Sequence, residues 1–228
     1  MIKISCIIPA YNEAKRIGNV LDIISIHPNI DEIIVVDDAS ADNTKEVISK
    51  YENIKLIVHT KNEGKSKAIY DGILNSSGNY LLFVDADLVG LNEKNITDLI
   101  LPIENGQADV SISLRKNAPR LWNAIGLDYI SGERLLPKEM FDGYLEKILN
   151  LPKFGLEVFL NNLIIKRRFR IKIVNWPNVL SPLKAQKYGK WIGIKGDIFM
   201  IFDMIRTVSP ISLFYQIIRM KKLSVTQK

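Results

Sequence analysis

Thiol and imidazole are scarce in this chain: one cysteine and two histidines in 228 residues. A lone thiol, Cys6, excludes an internal disulfide. Its place inside Ile4-Ser5-Cys6-Ile7-Ile8 marks it as a small buried hydrophobe, in keeping with a reducing compartment. Long apolar runs are also missing. The first run is cut by Pro9 and followed by Asn12 and Glu13, which is too short for a secretory core or a membrane span. The expectation is a cytoplasmic chain, peripheral at most on the inner face of the plasma membrane. Neither aromatic residues interleaved with basic ones nor a nucleic-acid-binding motif is present, so nucleic acid is excluded as a partner. Internal repeats and low-complexity segments are absent.

What is there suits one substantial core. Hydrophobic residues make up 47% and charged residues 25% of a chain of single-domain length. The net charge of +6 collects late, at Lys166-Arg167-Arg168, Arg170, Lys172, Lys184, Lys187, Lys190 and from Arg219 to Lys222. Such clustering suits an anionic membrane surface or a phosphate-bearing substrate.

Short Ile- and Val-rich runs (Ile2 to Pro9, Glu32 to Asp37, Ile54 to His59, Tyr80 to Val84) alternate with stretches at helical spacing (Asn12 to Ile26, Asn43 to Tyr51, Lys65 to Asn75). This alternation predicts an α/β fold with a Rossmann-like, mostly parallel sheet. Asn43-Thr44 and Ser66 are the expected helix caps, and Gly78-Asn79 the turn into the fourth strand. Asp109 to Leu114 reads as a fifth strand and Leu156 to Arg168 as a helix. The segment from Asp197 to Lys222 is apolar, but Asp203 and Arg206 interrupt it and Pro210 breaks any helix there. It predicts two short amphipathic helices. The expected organisation is a domain over residues 1–195 and a basic amphipathic tail over 196–228, which meets either an anionic membrane or the second copy of a homodimer.

Polar residues collect where the strands end, the place where such sheets bind ligands. Leu81-Leu82-Phe83-Val84-Asp85-Ala86-Asp87 ends in carboxylates two positions apart, which an extended chain puts on one face. Close carboxylates repel unless a cation lies near, and hard oxygens suit Mg²⁺ or Mn²⁺. Taken alone, so short a pair reads more readily as a turn in a solvated loop. It is accompanied by Ile7-Ile8-Pro9-Ala10-Tyr11-Asn12-Glu13, by Ile34-Val35-Val36-Asp37-Asp38-Ala39-Ser40 and by Asn62-Glu63-Gly64-Lys65-Ser66-Lys67.

Over residues 1–90 these four motifs, in this order, resemble glycosyltransferase family 2, whose members have the GT-A nucleotide-sugar-binding fold. The resemblance implies an inverting, metal-dependent transfer from a nucleotide-diphosphate sugar, with a UDP-sugar favoured. The implied acceptor is a lipid phosphate such as a polyprenyl phosphate, or a cell-envelope glycan. It implies that Pro9, Ala10, Tyr11 and Glu13 hold uracil and ribose, that Asp38 accepts the uracil imide proton, that Asp85 faces the sugar or ribose, and that Asp87 touches the metal. Lys65 stands at the family's Gly-Lys position at a helix start, where a diphosphate is favoured. For Lys67 a solvated lysine is an equal reading, and for Asp37 so is turn chemistry before Ser40.

On the acceptor side, Ile130-Ser131-Gly132-Glu133-Arg134-Leu135-Leu136 and Phe154-Gly155-Leu156-Glu157-Val158 resemble acceptor segments of the family. Glu157 is the implied general base, an acid favoured by a helix N-terminus being the other reading. For a lipid phosphate, already anionic, Glu157 would position the acceptor and the Lys166 to Arg170 cluster would hold its phosphate. One departure stands out: near the place where many relatives carry a metal-binding histidine, this chain has Ser181. His27 and His59 read as structural histidines. Nucleotidyl transfer fits less well, because Ala10-Tyr11-Asn12-Glu13 follows the first strand in place of a glycine-rich basic loop. A non-catalytic nucleotide-sugar or membrane-surface binding module is the remaining alternative.

Overall fold

A computed structural model describes residues 2–118, 120–151, 155–182 and 209–225. Among these residues, seven strands form one sheet in the order β3-β2-β1-β4-β6-β5-β7. They are β1 (Ile4–Ala10), β2 (Glu32–Asp37), β3 (Ile54–Val58), β4 (Tyr80–Phe83), β5 (Val110–Arg115), β6 (Arg134–Pro137) and β7 (Ile171–Trp176). The helices are α1 (Ile17–Ile24), α2 (Thr44–Ile48), α3 (Lys65–Leu74), α4 (Glu93–Glu104), α5 (Arg120–Ile125), α6 (Gly155–Arg167) and α7 (Pro210–Leu223).

Strands β1 to β4 pair in parallel. Buried on both faces, β1 and β2 are near-continuous apolar runs, as covered parallel strands require. Helix α1 closes one face with Ile17, Val20, Leu21 and Ile24, a single helical stripe. Strand β6 runs antiparallel between β4 and β5, and Arg134 inside it hides the strand from an apolar pattern search. Burial of that guanidinium is therefore a structural surprise, and it bears on the site below.

Several boundaries shift for local reasons. Helix α1 begins at Ile17, not Asn12, because Asn12 takes a left-handed φ of 55°. The loop after it is tied sideways to the second βα turn, where the Glu13 N–H donates to Thr44 Oγ1 at 2.9 Å. Neither Asn43 nor Ser66 caps its helix with a side chain; α3 instead starts from Gly64 at φ 91°. Asn92 and Asn95 form a reciprocal capping box at α4.

Of the expected tail helices, residues 197–208 lie outside the described residues, as does the 195/196 boundary. Pro210–Leu223 is one helix, with proline tolerated in its first turn and Ser209 accepting from the Ser212 N–H. Its Gln216 accepts from Tyr129 Oη at 2.6 Å and its Met220 is buried, so α7 docks on the same body as α6. Just beyond it, the Val225 N–H donates to the Ile171 carbonyl of edge strand β7. Among the described residues no helix is long and apolar enough to cross a membrane.

The segment after β4 is held by a small clasp. Val89 and Leu180 exchange backbone hydrogen bonds of 2.9 Å, and Asn178 Nδ2 donates to the Gly90 carbonyl at 2.8 Å. Gly90 sits at φ 81°, and a Cβ there would lie 2.3 Å from the Asn178 carbonyl oxygen. Gly90→Ala is therefore expected to lower stability by about 1–3 kcal/mol, from left-handed strain and overpacking together, as read by urea denaturation.

Candidate active site

The carboxyl ends of β1 and β4 open into a cleft lined by Pro9, Ala10, Tyr11, Glu13, Lys65, Asp85, Ala86 and Asp87. A narrower recess continues from it, past Lys65 and Asp85, to Ser131, Gly132 and Glu157. Three remote parts of the chain meet at one ammonium group. Lys65 Nζ, at the first residue of α3, donates to Asp85 Oδ1 at 2.8 Å and to Glu157 Oε1 at 3.1 Å. Asp85 follows β4 and Glu157 stands in the first turn of α6. Burial works against the charge on Lys65, but the two carboxylates outweigh it and hold its pKa well above the usual lysine range.

Tyr11 is exposed at the mouth of the cleft, offering a flat face, while Glu13 is buried and pairs with Arg16 at 2.8 Å. Loop 10–14 is clamped to the loop after β2: the Asn12 N–H donates to Ser40 Oγ, and the Ala41 N–H donates to Asn12 Oδ1. Asp87 lines the cleft, and the Ser181 hydroxyl lies 3.4 Å from its Oδ1. The residue standing near the expected metal histidine thus does reach the Asp-x-Asp segment, with oxygen in place of nitrogen. Among the described residues no three His, Cys, Asp or Glu side chains converge as a metal cluster. Two cleft carboxylates without a preformed cage match the way Mg²⁺ binds, through one or two carboxylates together with substrate phosphates.

Asp38 occupies a different place. It is buried, outside the cleft lining, and holds up the loop that leads into α3. Its Oδ1 accepts from the Glu63 N–H at 2.8 Å and its Oδ2 from the Gly64 N–H at 2.7 Å. His59 Nδ1 lies 2.7 Å from Asp38 Oδ1, and His59 Nε2 lies 2.9 Å from Asp71 Oδ2. A contact between Asp38 and uracil would have to reach a buried carboxylate that already accepts from two backbone N–H groups and lies beside His59. His59 is thus a bridging structural histidine, and His27, bonded to Thr97 at 3.0 Å, is another. Asp37 makes the turn: its carboxylate accepts from the Ser40 N–H. Lys67 pairs with Asp71 four residues on, away from the cleft lining.

The Lys166 to Arg170 cluster is not brought to the site. Lys166 lies nine residues along α6 from Glu157, a rise of about 13 Å. There it bonds the Tyr144 hydroxyl, while Arg170 pairs with Asp109 at 2.8 Å. The contacts of Lys166 and Arg170 therefore lie away from Glu157 and give no support to phosphate capture beside it.

Behind the recess lies a polar layer, part of which the sequence reading took for an acceptor segment and not for buried charge. Asp128, Ser131, Glu133, Arg134 and Asn161 are all fully buried. Arg134 donates to the Ser131 and Tyr129 carbonyls and to Asn161 Oδ1. Arg115 Nη2 lies 3.3 Å from Asp128 and its Nε 3.4 Å from Glu133. Burial raises the Glu133 carboxyl above its ordinary range; Arg115 opposes this and the nearby Asp85 charge adds to it. The signal that could have revealed the layer is Gly132-Glu133-Arg134 set directly against apolar Leu135-Leu136.

The glycosyl transferase family 2 model matches residues 5–161. Among curated proteins, a dolichyl-phosphate beta-glucosyltransferase of Dictyostelium discoideum is 29% identical over 184 residues, covering 72% of this chain and 50% of that protein. A dolichol-phosphate mannosyltransferase of Pyrococcus furiosus is 39% identical over 125 residues, covering 50% of this chain and 33% of that protein. The chain thus spans half or less of the length of these relatives. Glucosyl-3-phosphoglycerate synthase from Mycobacterium tuberculosis, solved with phosphoglyceric acid, superposes with a TM-score of 0.68 at 22% identity, covering 90% of this chain and 80% of that one. Another of its structures contains Mn²⁺, UDP-glucose and phosphoglyceric acid. At that identity the likeness carries the fold alone, which is GT-A.

Removing the buried Asp38 carboxylate strands the part-buried Glu63 and Gly64 N–H donors. Asp38→Ala is expected to cost about 2–4 kcal/mol of stability, and Asp38→Asn, which keeps one acceptor, about half as much. Chemical denaturation of both variants checks the order.

Proposed function

Since the chain belongs to glycosyl transferase family 2, we propose that its cleft moves a sugar, with inversion, from a UDP-sugar to an acceptor entering beside Glu157. One observation carries this reading: the Lys65 ammonium stands between Asp85 on the donor side and Glu157 on the acceptor side, where cleft and recess join. Pro9, Ala10, Tyr11 and Glu13 hold the nucleoside, with Tyr11 stacking on the base. Asp38 serves the base side by setting the loop at residues 59–64 and, with it, the start of α3. Asp85 orients the sugar or ribose.

Lys65 neutralises charge gathering on the departing nucleoside diphosphate, the main electrostatic task of the reaction. A Mg²⁺ or Mn²⁺ ion held by Asp87 and the diphosphate supplies further neutralisation when bound. With a hydroxyl acceptor, Glu157 takes the proton as oxygen attacks the anomeric carbon. With a phosphate acceptor no base is needed, and Glu157 positions it.

A lipid-phosphate acceptor at an anionic membrane is supported by α7. Ile211, Phe214, Tyr215 and Ile218 recur at one-face spacing and are all exposed, 83% for Ile211 and 67% for Phe214, while Arg219 and Lys222 lie on the following turns. Apolar burial and attraction to anionic headgroups add together on such a face. The chain then works at the inner face of the plasma membrane. The activities of the curated relatives, which act on dolichyl phosphate by name, agree with this acceptor class.

Purified protein with Mg²⁺ or Mn²⁺ is expected to transfer from UDP-glucose to a polyprenyl phosphate, and 3-phosphoglycerate serves as the soluble competitor acceptor. Transfer to 3-phosphoglycerate alone, with no sedimentation on anionic vesicles, moves the acceptor to the soluble class. No transfer from any nucleotide sugar with either metal leaves a binding module. Glu157→Gln is expected to lower turnover on a hydroxyl acceptor by about 10²–10⁴-fold while donor KM stays near normal. An equal fall in Glu157→Gln and wild-type rates on adding chelator, with no difference between the two proteins before it, removes Glu157 from the base role.

A further inference from the structure

We propose that Gly132 is a positioning residue for Asp85: the space its missing side chain leaves is the space the Asp85 carboxylate fills, and the buried polar layer holds that wall in place. A Cβ at residue 132 would lie 2.5 Å from Asp85 Oδ2 and 2.8 Å from both its Cγ and Oδ1. Its backbone does not demand glycine, because φ at 132 lies outside the left-handed region. Room for a carboxylate is what the position supplies.

Which side yields to an added methyl is decided by what anchors each. On the wall side, the Ser131 carbonyl accepts from Arg134 Nε at 2.7 Å and the Ser131 N–H donates to the Asp128 carbonyl. The Ser131 and Ser113 hydroxyls lie 2.7 Å apart and 3.0 and 2.7 Å from Glu133 Oε2, so their two protons are shared around this triangle. Arg134, next along, is paired across the sheet with Phe83, two residues before Asp85. Residues 131, 133 and 134 are all fully buried. To retreat, this wall would have to break several buried hydrogen bonds at once. On the other side stands a side chain with rotatable torsions, whose partners include Lys65, 2.8 Å from Oδ1. The carboxylate therefore yields first, and the Lys65 bridge to Glu157 loses its donor-side anchor.

The catalytic half of this inference rests on the proposed role of Asp85; the steric half does not, and a double-mutant cycle separates them. Wild type, Gly132→Ala, Asp85→Ala and the double variant are compared by melting temperature and by donor turnover. Gly132→Ala alone is expected to lower the melting temperature by roughly 3–10 °C. It should lower kcat about 10²-fold with a smaller change in donor KM, the signature of a misplaced group. In the Asp85→Ala background the added methyl enters vacated space and the melting temperature should not move. If Gly132→Ala alone does not fold, the double variant still should. An equal loss of stability in both backgrounds, or a double variant that does not fold, overturns the proposal by placing the clash in the wall. Stability coupling with turnover untouched by either single change keeps the steric gauge and removes Asp85 from the reaction.

Discussion

Everything at the cleft turns on one cation lodged between two carboxylates. Lys65 belongs to the start of α3, Asp85 to the end of β4, and Glu157 to the start of α6, 92 residues from the lysine. Bringing three charges out of bulk water is costly, and the arrangement holds only because attraction in the cleft offsets it. Take away the lysine and two carboxylates face each other across the recess; take away either acid and the ammonium keeps half its compensation. The bridge therefore sets Asp85 and Glu157, the groups we propose for the donor and acceptor sides, at a fixed separation.

Two devices keep that bridge in register. On the α3 side, the backbone turn at Gly64, with φ at 91°, is fixed by the Asp38 carboxylate, which His59 joins to Asp71 further along the helix. On the β4 side, the carboxylate rests against Gly132. Both devices rest on buried polar groups, which an apolar core of equal volume would match or exceed in stability. Their value lies in direction: charged partners fix where a neighbour points, which packing alone fixes less tightly.

This division explains what could be read from the sequence. Parallel strands β1 to β4, and helices beginning near Lys65 and Glu157, show as apolar period and strand-end polarity, because each is a local property. Pro9, Ala10, Tyr11, Glu13, Lys65, Asp85 and Asp87 follow, since they sit at the ends of those strands and helices, and the structure gathers all of them at one cleft. Asp38 was legible as a strand-end acid but not as a buried one, because its donors come from residues 63 and 64. Strand β6 and the burial of Arg115, Asp128, Glu133 and Arg134 as one layer were not legible, although residues 130–136 stood out as an acceptor segment. A buried Arg-Glu pair looks like surface charge until the partners, tens of residues away, are known.

Helix α6 makes the last connection between site and surface. Its first turn carries Glu157 into the recess, its buried flank packs against α7, and its last turn ends at Lys166 and Arg167 about 13 Å away. A basic cluster at that distance cannot touch the reacting oxygen, yet it belongs to the body that presents the exposed stripe of α7. Charge there therefore acts on whatever surface the body approaches, and the chemistry we propose is left to Lys65, Asp85 and Glu157. For a lipid phosphate this separation has a consequence: the headgroup must leave the plane of its membrane and reach into the recess, with α7 holding the protein near enough for it to do so. A soluble phosphorylated acceptor needs no such reach, and for it the same stripe would have no part in transfer. The exposed apolar face thus ties the question of what the chain binds to the question of which acceptor the proposed transfer would use.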